Sequence, residues 1–195
     1  MSFINPREKE INCKIVYFGP ALSGKSTTLR KIYEKISADK SGKIVSLTAE
    51  TDRTIYFDFL PLSLGKVNGF TIRLHLYSVP GQVLYANSRK IILKGTDGVV
   101  FVADSQVSKM EANLQSLESL KKNLQEQEVD FNKLPFVFQY NKRDIPQAAP
   151  LAQLREILNL RRAPDFESVA TKGTGVMEGM QAIAKQVLKE LQKKE

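Results

Sequence analysis

The sequence predicts an α/β fold in a single domain spanning residues 1–195: a six-stranded, mostly parallel sheet with one antiparallel edge strand and helices on both faces. Three observations carry that prediction. Short β-rich apolar runs alternate along the chain with stretches whose apolar residues recur at helical spacing. One run, Gly98–Asp104 (Gly-Val-Val-Phe-Val-Ala-Asp), is apolar without alternation, the pattern of a parallel strand covered on both faces. A glycine-rich loop joins the first strand to the first helix, and ligands of such sheets bind at the carboxyl ends of the strands.

The elements follow in order. Ile11–Phe18 is the first strand, and Thr27–Ile36 a helix with Leu29, Ile32 and Ile36 on one face. Thr54–Leu62 is the second strand, with Ile55, Phe57 and Phe59 alternating against Tyr56 and Asp58. In the third, Phe70–Val79, the residues Phe70, Ile72, Leu74 and Leu76 face one way and Arg73, His75 and Tyr77 the other. Val67-Asn68-Gly69 supplies turn chemistry between them, so the two strands form an antiparallel hairpin at the sheet edge. Leu84–Lys94 reads as a helix, Gly98–Asp104 as the fourth strand, and Met110, Leu114, Leu117, Leu120 and Leu124 mark a long amphipathic helix. Pro135–Tyr140 is the fifth strand, Leu151–Leu160 a helix, and Phe166–Ala170 the sixth strand. Val176, Met180, Ile183, Val187 and Leu191 stripe the final helix. His75 falls on a polar strand phase and reads as a surface or interface residue; Met110 and Met180 read as core.

With 42% hydrophobic and 26% charged residues, the chain has the composition of a folded globular domain rather than a disordered one. No apolar run approaches the roughly 20 residues that span a bilayer. Secretory, myristoylation and prenylation patterns are missing. The one cysteine, Cys13, falls in the first strand, so the expectation is a buried reduced thiol in a cytoplasmic protein, which is also expected to be a monomer on its own. The formal charge of +8 suits a polyphosphate ligand, an acidic partner or nucleic acid. Basic residues are scattered beside acids, as in Arg7-Glu8-Lys9-Glu10, with no basic run interleaved with aromatics. That distribution argues against sequence-specific nucleic-acid binding.

Gly19-Pro20-Ala21-Leu22-Ser23-Gly24-Lys25-Ser26 fits G-x-x-x-x-G-K-[ST], between a strand and a helix. Gly19 and Gly24 let the backbone turn tightly and bring its N–H groups to phosphate oxygens. Lys25 supplies a mobile charge for the β- and γ-phosphates, and the Ser26 hydroxyl can ligate Mg²⁺. The following helix aims its positive dipole end at the same anion. Gly19, Ala21, Leu22, Ser23, Gly24, Lys25, Ser26 and Thr27 are therefore candidate nucleotide-binding residues.

Asn141-Lys142-Arg143-Asp144 follows directly on a strand. Guanine presents N1–H and N2–H₂ side by side, and the Asp144 carboxylate accepts both; adenine would leave it unpaired. The order of this motif after the phosphate loop resembles that of Ras-like GTPases, so the resemblance implies GTP and GDP as ligands with Mg²⁺. It implies that Asn141 bonds the base N7 and ties this loop to the phosphate loop, and that the Lys142 stem lies over the ring. Ser168-Val169-Ala170-Thr171 resembles the third guanine loop, with a backbone N–H near Ala170 reaching the base O6.

Ser78-Val79-Pro80-Gly81-Gln82 occupies the place of D-x-x-G-Q. Gly81 would donate its N–H to the γ-phosphate and Gln82 would orient the attacking water. Ser78 replaces the aspartate that holds Mg²⁺ through water, so the metal relies more on Ser26 and the phosphates, or on another acid such as Asp58. In Glu50-Thr51-Asp52-Arg53-Thr54, Thr54 is the best candidate for sensing the γ-phosphate and Mg²⁺, and Thr51 the alternative. Arg53 is either a solvated loop arginine or an arginine finger supplied in cis.

Thr51-Asp52-Arg53-Thr54, Phe57-Asp58-Phe59-Leu60-Pro61-Leu62, Leu76 through Val83 and Ser88 through Gly95 together resemble the MglA family of bacterial Ras-like GTPases. Val102-Ala103-Asp104-Ser105 and Gln139 through Asp144 agree. The resemblance implies a slow GTPase of cell polarity and gliding motility, recruited to a cell pole in its GTP form, where it meets effector proteins. It also implies stimulation by an MglB-like Roadblock homodimer that reorders Arg53 and Gln82 toward the nucleotide, and a second strand that shifts register between nucleotide states. The alternatives are a guanine-nucleotide-bound scaffold without turnover, which Ser78 in place of aspartate leaves open, and a P-loop ATPase or small-molecule kinase, which Asp144 opposes.

Overall fold

The computed structural model describes residues 3–5, 8–37, 45–48, 54–67, 69–80 and 86–193. The strands are β1 (Phe3–Asn5), β2 (Glu10–Phe18), β3 (Val45–Thr48), β4 (Thr54–Val67), β5 (Phe70–Ser78), β6 (Gly98–Asp104), β7 (Phe136–Asn141) and β8 (Asp165–Glu167). The helices are α1 (Lys25–Ser37), α2 (Ala86–Leu93), α3 (Met110–Gln125), α4 (Leu151–Leu158) and α5 (Val176–Gln192). They build one sheet in the order β3-β4-β5-β2-β6-β7-β8. The run from β5 through β2, β6 and β7 to β8 is parallel, and β4 is antiparallel to both β5 and β3.

The expected α/β sheet is present, with eight strands among the described residues instead of six. The two additional strands are three and four residues long, too short for a period-2 pattern to emerge from sequence. β1 lies antiparallel on Glu10, Ile11 and Asn12 of β2, in the stretch before β6 joins at Ile15. β3 covers the outer side of β4, so Thr54–Val67 is not the sheet edge. The hairpin is as expected: Val67 pairs with Phe70 across a two-residue turn in which Gly69 takes φ +81°. β8 ends at Glu167, earlier than expected: Ser168 N–H still donates to Tyr140 O of β7, but Val169 then bridges to Thr174 and Ala170 N–H turns to the Asn141 side chain.

The core has two halves, one on each face of the sheet. On β2, Cys13, Ile15 and Tyr17 point into the half that includes Leu29 and Ile32 of α1 and Ile183 and Val187 of α5. Val16 and Phe18 point into the other, with Leu117 and Leu120 of α3 and Leu154 and Leu158 of α4. β6 divides the same way, Val100 and Val102 against Val99, Phe101 and Ala103, which is why its sequence shows no alternation. The loop entering β7 is held by Arg161. Its guanidinium lies 4.8 Å and 4.9 Å from the ring centroids of Phe131 and Phe136 and donates to the carbonyls of Phe131, Asn132 and Leu134. No helix among the described residues is long and apolar enough to cross a membrane.

His75 is half-buried on β5, with Nε2 2.7 Å from Asn12 Oδ1. Burial, and secondarily Arg73, holds its pKa below the ordinary 6.5, against an opposing pull from Glu10. The unfolded chain therefore binds the proton more readily, so the stabilisation is complete above about pH 6.5 and is lost as pH falls through the lower folded value. Thermal melts between pH 7.5 and 5 are expected to lose less Tm in His75→Gln than in wild type; parallel curves would refute the linkage.

Candidate functional site

β2 delivers the phosphate loop and α1 receives it. Gly19 takes φ +148°, and a Cβ there would stand 2.2 Å from the Val102 carbonyl oxygen on the neighbouring strand. Gly24 takes φ +100°, and its Cβ would stand 2.1 Å from Asn141 Nδ2. Both glycines are thus required by conformation and by close approach. Leu22 holds φ +61° without being glycine and leaves its side chain largely exposed. Thr28 N–H donates to Gly24 O at 2.8 Å, closing the first turn of α1. Lys25 is buried, and its Nζ donates to Gly19 O at 3.0 Å and Pro20 O at 2.6 Å. The ammonium is thus bent back across the loop onto two carbonyls, with which phosphate oxygens would compete for its N–H donors. Ser23 Oγ is buried without a protein partner, an orphaned polar atom in the same loop.

The second motif reaches the loop from β7. Asn141 is the last residue of that strand, paired in register with Asp104, and its carbonyl accepts Ser105 N–H at 3.0 Å. The ladder therefore fixes where its side chain starts. Asn141 Nδ2 donates to Ser23 O at 2.8 Å, while Oδ1 accepts Ala170 N–H at 2.9 Å and the Ser168 hydroxyl at 3.2 Å. One buried amide thus joins three loops, including the link to the phosphate loop that the family resemblance implied. Lys142 follows at φ +65° with its Nζ 2.6 Å from Asp104 Oδ2. Asp144 remains one-third exposed, with Lys172 Nζ 3.6 Å from its Oδ2. Gly24, Thr27, Asn141, Lys142, Asp144 and Ala170 border a cavity of about 280 Å³. A larger hollow of about 1070 Å³ lies between the end of α2, the loop before β7 and α5. It contains none of the phosphate-loop or Asn141–Asp144 residues, so size does not select the site; the chemistry of the lining does.

The Ala170 N–H donates to Asn141 Oδ1 at 2.9 Å, so a base O6 reaching this loop would share that donor or use a neighbouring one. Ser78 ends β5, is buried, and stands in register with Tyr17 of β2 on one side and Asp58 of β4 on the other. Thr54 opens β4 opposite Thr48. Arg53, Thr51, Gly81 and Gln82 lie outside the described residues. Asp104 and Asn113 were missed: the visible signal was a carboxylate ending an otherwise apolar strand, with no local hint of its partners.

The model of the ADP-ribosylation factor family matches residues 2–187. The mutual gliding-motility protein MglA of Myxococcus xanthus (strain DK1622) is 59% identical over 193 residues, covering 99% of both chains. The chain belongs to the ADP-ribosylation factor family, as an MglA-type protein. Human ADP-ribosylation factor-like protein 4C is 27% identical over 182 residues, 90% of this chain and 86% of its own. ADP-ribosylation factor-like protein 6 of Caenorhabditis briggsae is 26% identical over 170 residues, 80% and 86% of the two chains. The MglA-type chain is accordingly a small GTPase, an enzyme that hydrolyses GTP.

Proposed function

We propose that this protein is a GTP-driven switch of bacterial cell polarity and gliding motility, turned off by hydrolysis that an MglB-like Roadblock homodimer accelerates. The observation that carries the reading is the Asn141 amide, which locks the phosphate loop, the Asp144 loop and the Ala170 loop into one cradle. In that cradle Asp144 accepts the two donors of guanine, Lys25 exchanges its loop carbonyls for the β- and γ-phosphates, and backbone N–H groups between Gly19 and Thr27 hold the remaining oxygens. Bound Mg²⁺ supplies charge neutralisation at the phosphates. Ser26 and Thr54 are its candidate hydroxyl ligands, with Asp58, in register with Ser78 in the ladder, as a candidate substitute for the missing aspartate. Gly81 meets the γ-phosphate, Gln82 orients the water, and Arg53 stabilises the transition-state charge. The GTP form is read by effector proteins at a cell pole, with the protein itself a cytoplasmic monomer.

Single-turnover GTP hydrolysis with and without a Roadblock-type partner tests the switch. It requires a slow rate alone and a large stimulation; a partner that binds and leaves the rate unchanged would overturn it. Competition between GTP and ATP tests the base assignment, and equal affinities would overturn it.

A further inference from the structure

Asp104 closes β6, and its carboxylate is 1% exposed. A buried carboxylate is stable only when paired and hydrogen-bonded. Lys142 Nζ meets its Oδ2 at 2.6 Å, and Gln106 donates its backbone N–H to Oδ1 at 3.1 Å and its side-chain amide to both oxygens at 3.2 Å. The backbone of Asp104 is itself clamped. Its N–H donates to Asn113 Oδ1 at 2.9 Å, and Asn113 Nδ2 donates to its carbonyl at 2.8 Å, with Asn113 fully buried on α3. A chain of contacts thus runs from α3 through the end of β6 to the lysine that borders the base cavity.

Lysine is a poor wall by default. Its four-carbon stem carries about 2 kcal/mol of rotamer entropy, and confining it when ligand arrives weakens binding. Here Lys142 also holds a left-handed backbone at φ +65°, a conformation that persists only where surroundings enforce it. We infer that Asp104 is a positioning residue for guanine recognition: by anchoring the Lys142 ammonium it sets the lysine stem as a preformed wall of the base cavity. The inference rests on the guanine-nucleotide reading of that cavity. It separates two duties that the lysine's presence in the motif alone leaves merged. The stem meets the base, and the charge serves the protein.

The test is a double-mutant cycle on the release rate of N-methylanthraniloyl-GDP, with Asp104→Asn, Lys142→Met and the double variant. Asp104→Asn keeps the side-chain shape and the Oδ1 contacts with Gln106 but removes the charge and one acceptor oxygen. Release is expected to quicken about tenfold, the factor set by restoring freedom to one long side chain. If Asp104 acts through Lys142, the double variant releases nucleotide no faster than the faster single variant. Rates that multiply in the double variant would mean that Asp104 acts through general stability, and would overturn the inference. Should Asp104→Asn fail to fold, Asp104→Glu, which keeps the charge and displaces it by one methylene, is read in the same cycle. Wild-type protein is first displaced with GDP and with ADP. Equal displacement would refute the guanine site itself, whereas guanine selectivity with a multiplicative cycle would refute only the role of Asp104.

Discussion

Replacing Arg53 by alanine is expected to slow partner-stimulated GTP hydrolysis roughly 10³–10⁵-fold while leaving the affinity for GTP near that of wild type. The reasoning is one of differential binding. Phosphoryl transfer spreads charge over the γ-phosphate oxygens as the bond to the leaving group loosens, and a guanidinium brought there late stabilises that state more than the ground state. In the proposed site, ground-state GTP is held instead by the cradle of Gly19 to Thr27 and by the Asp144 loop, so its affinity is not expected to depend on Arg53. Gln82→Leu is expected to give the same kinetic result by a different cause, loss of the group that orients water, and to lock the protein in its GTP form. Single-turnover rates with saturating partner, beside equilibrium titration with a non-hydrolysable analogue, check both. An Arg53→Ala protein with an undiminished stimulated rate would return Arg53 to the surface as a solvated loop residue.

Gly24→Ala is expected to lower guanine-nucleotide affinity by about 100-fold or more. Two costs add. The left-handed backbone at φ +100° strains any residue with a Cβ, by about 1–2 kcal/mol. The new methyl would stand 2.1 Å from Asn141 Nδ2, so the amide must leave Ser23 O, and a buried hydrogen bond broken on one side costs a further 1–3 kcal/mol or so. Because the same amide holds Ser168 and Ala170, the damage spreads to the base loop. Isothermal titration with GDP measures the affinity and a thermal melt the fold. An affinity within twofold of wild type would show that the Asn141 link is dispensable.

Most of the sheet was legible because β2, β5, β6 and β7 carry dense apolar signals and the helices carry clear stripes. Gly98–Asp104 was read to the residue, its seven positions all buried, since a strand covered on both faces cannot hide its composition. β1 and β3 were invisible: each depends on a neighbour offering an open ladder edge, and three or four residues encode no such neighbour. The motif residues were legible for a different reason. Polyphosphate and guanine chemistry restricts which side chains serve at Lys25, Ser26 and Asp144, so type and spacing carry the information.

What chemistry restricts locally, then, stands in the chain itself: the strand–loop–helix unit around Gly19 to Ser26, the Asp144 carboxylate after its strand, and the alternation of α and β. What joins these pieces does not. Asn141 meets Ser23 across 118 residues and Ala170 across 29, and Lys142 meets Asp104 across 38. Those contacts exist because β6 lies between β2 and β7, which brings the carboxyl ends of three strands to one rim. A side-chain amide of ordinary reach can then bridge loops that share no local pattern, and only the assembled sheet supplies that proximity.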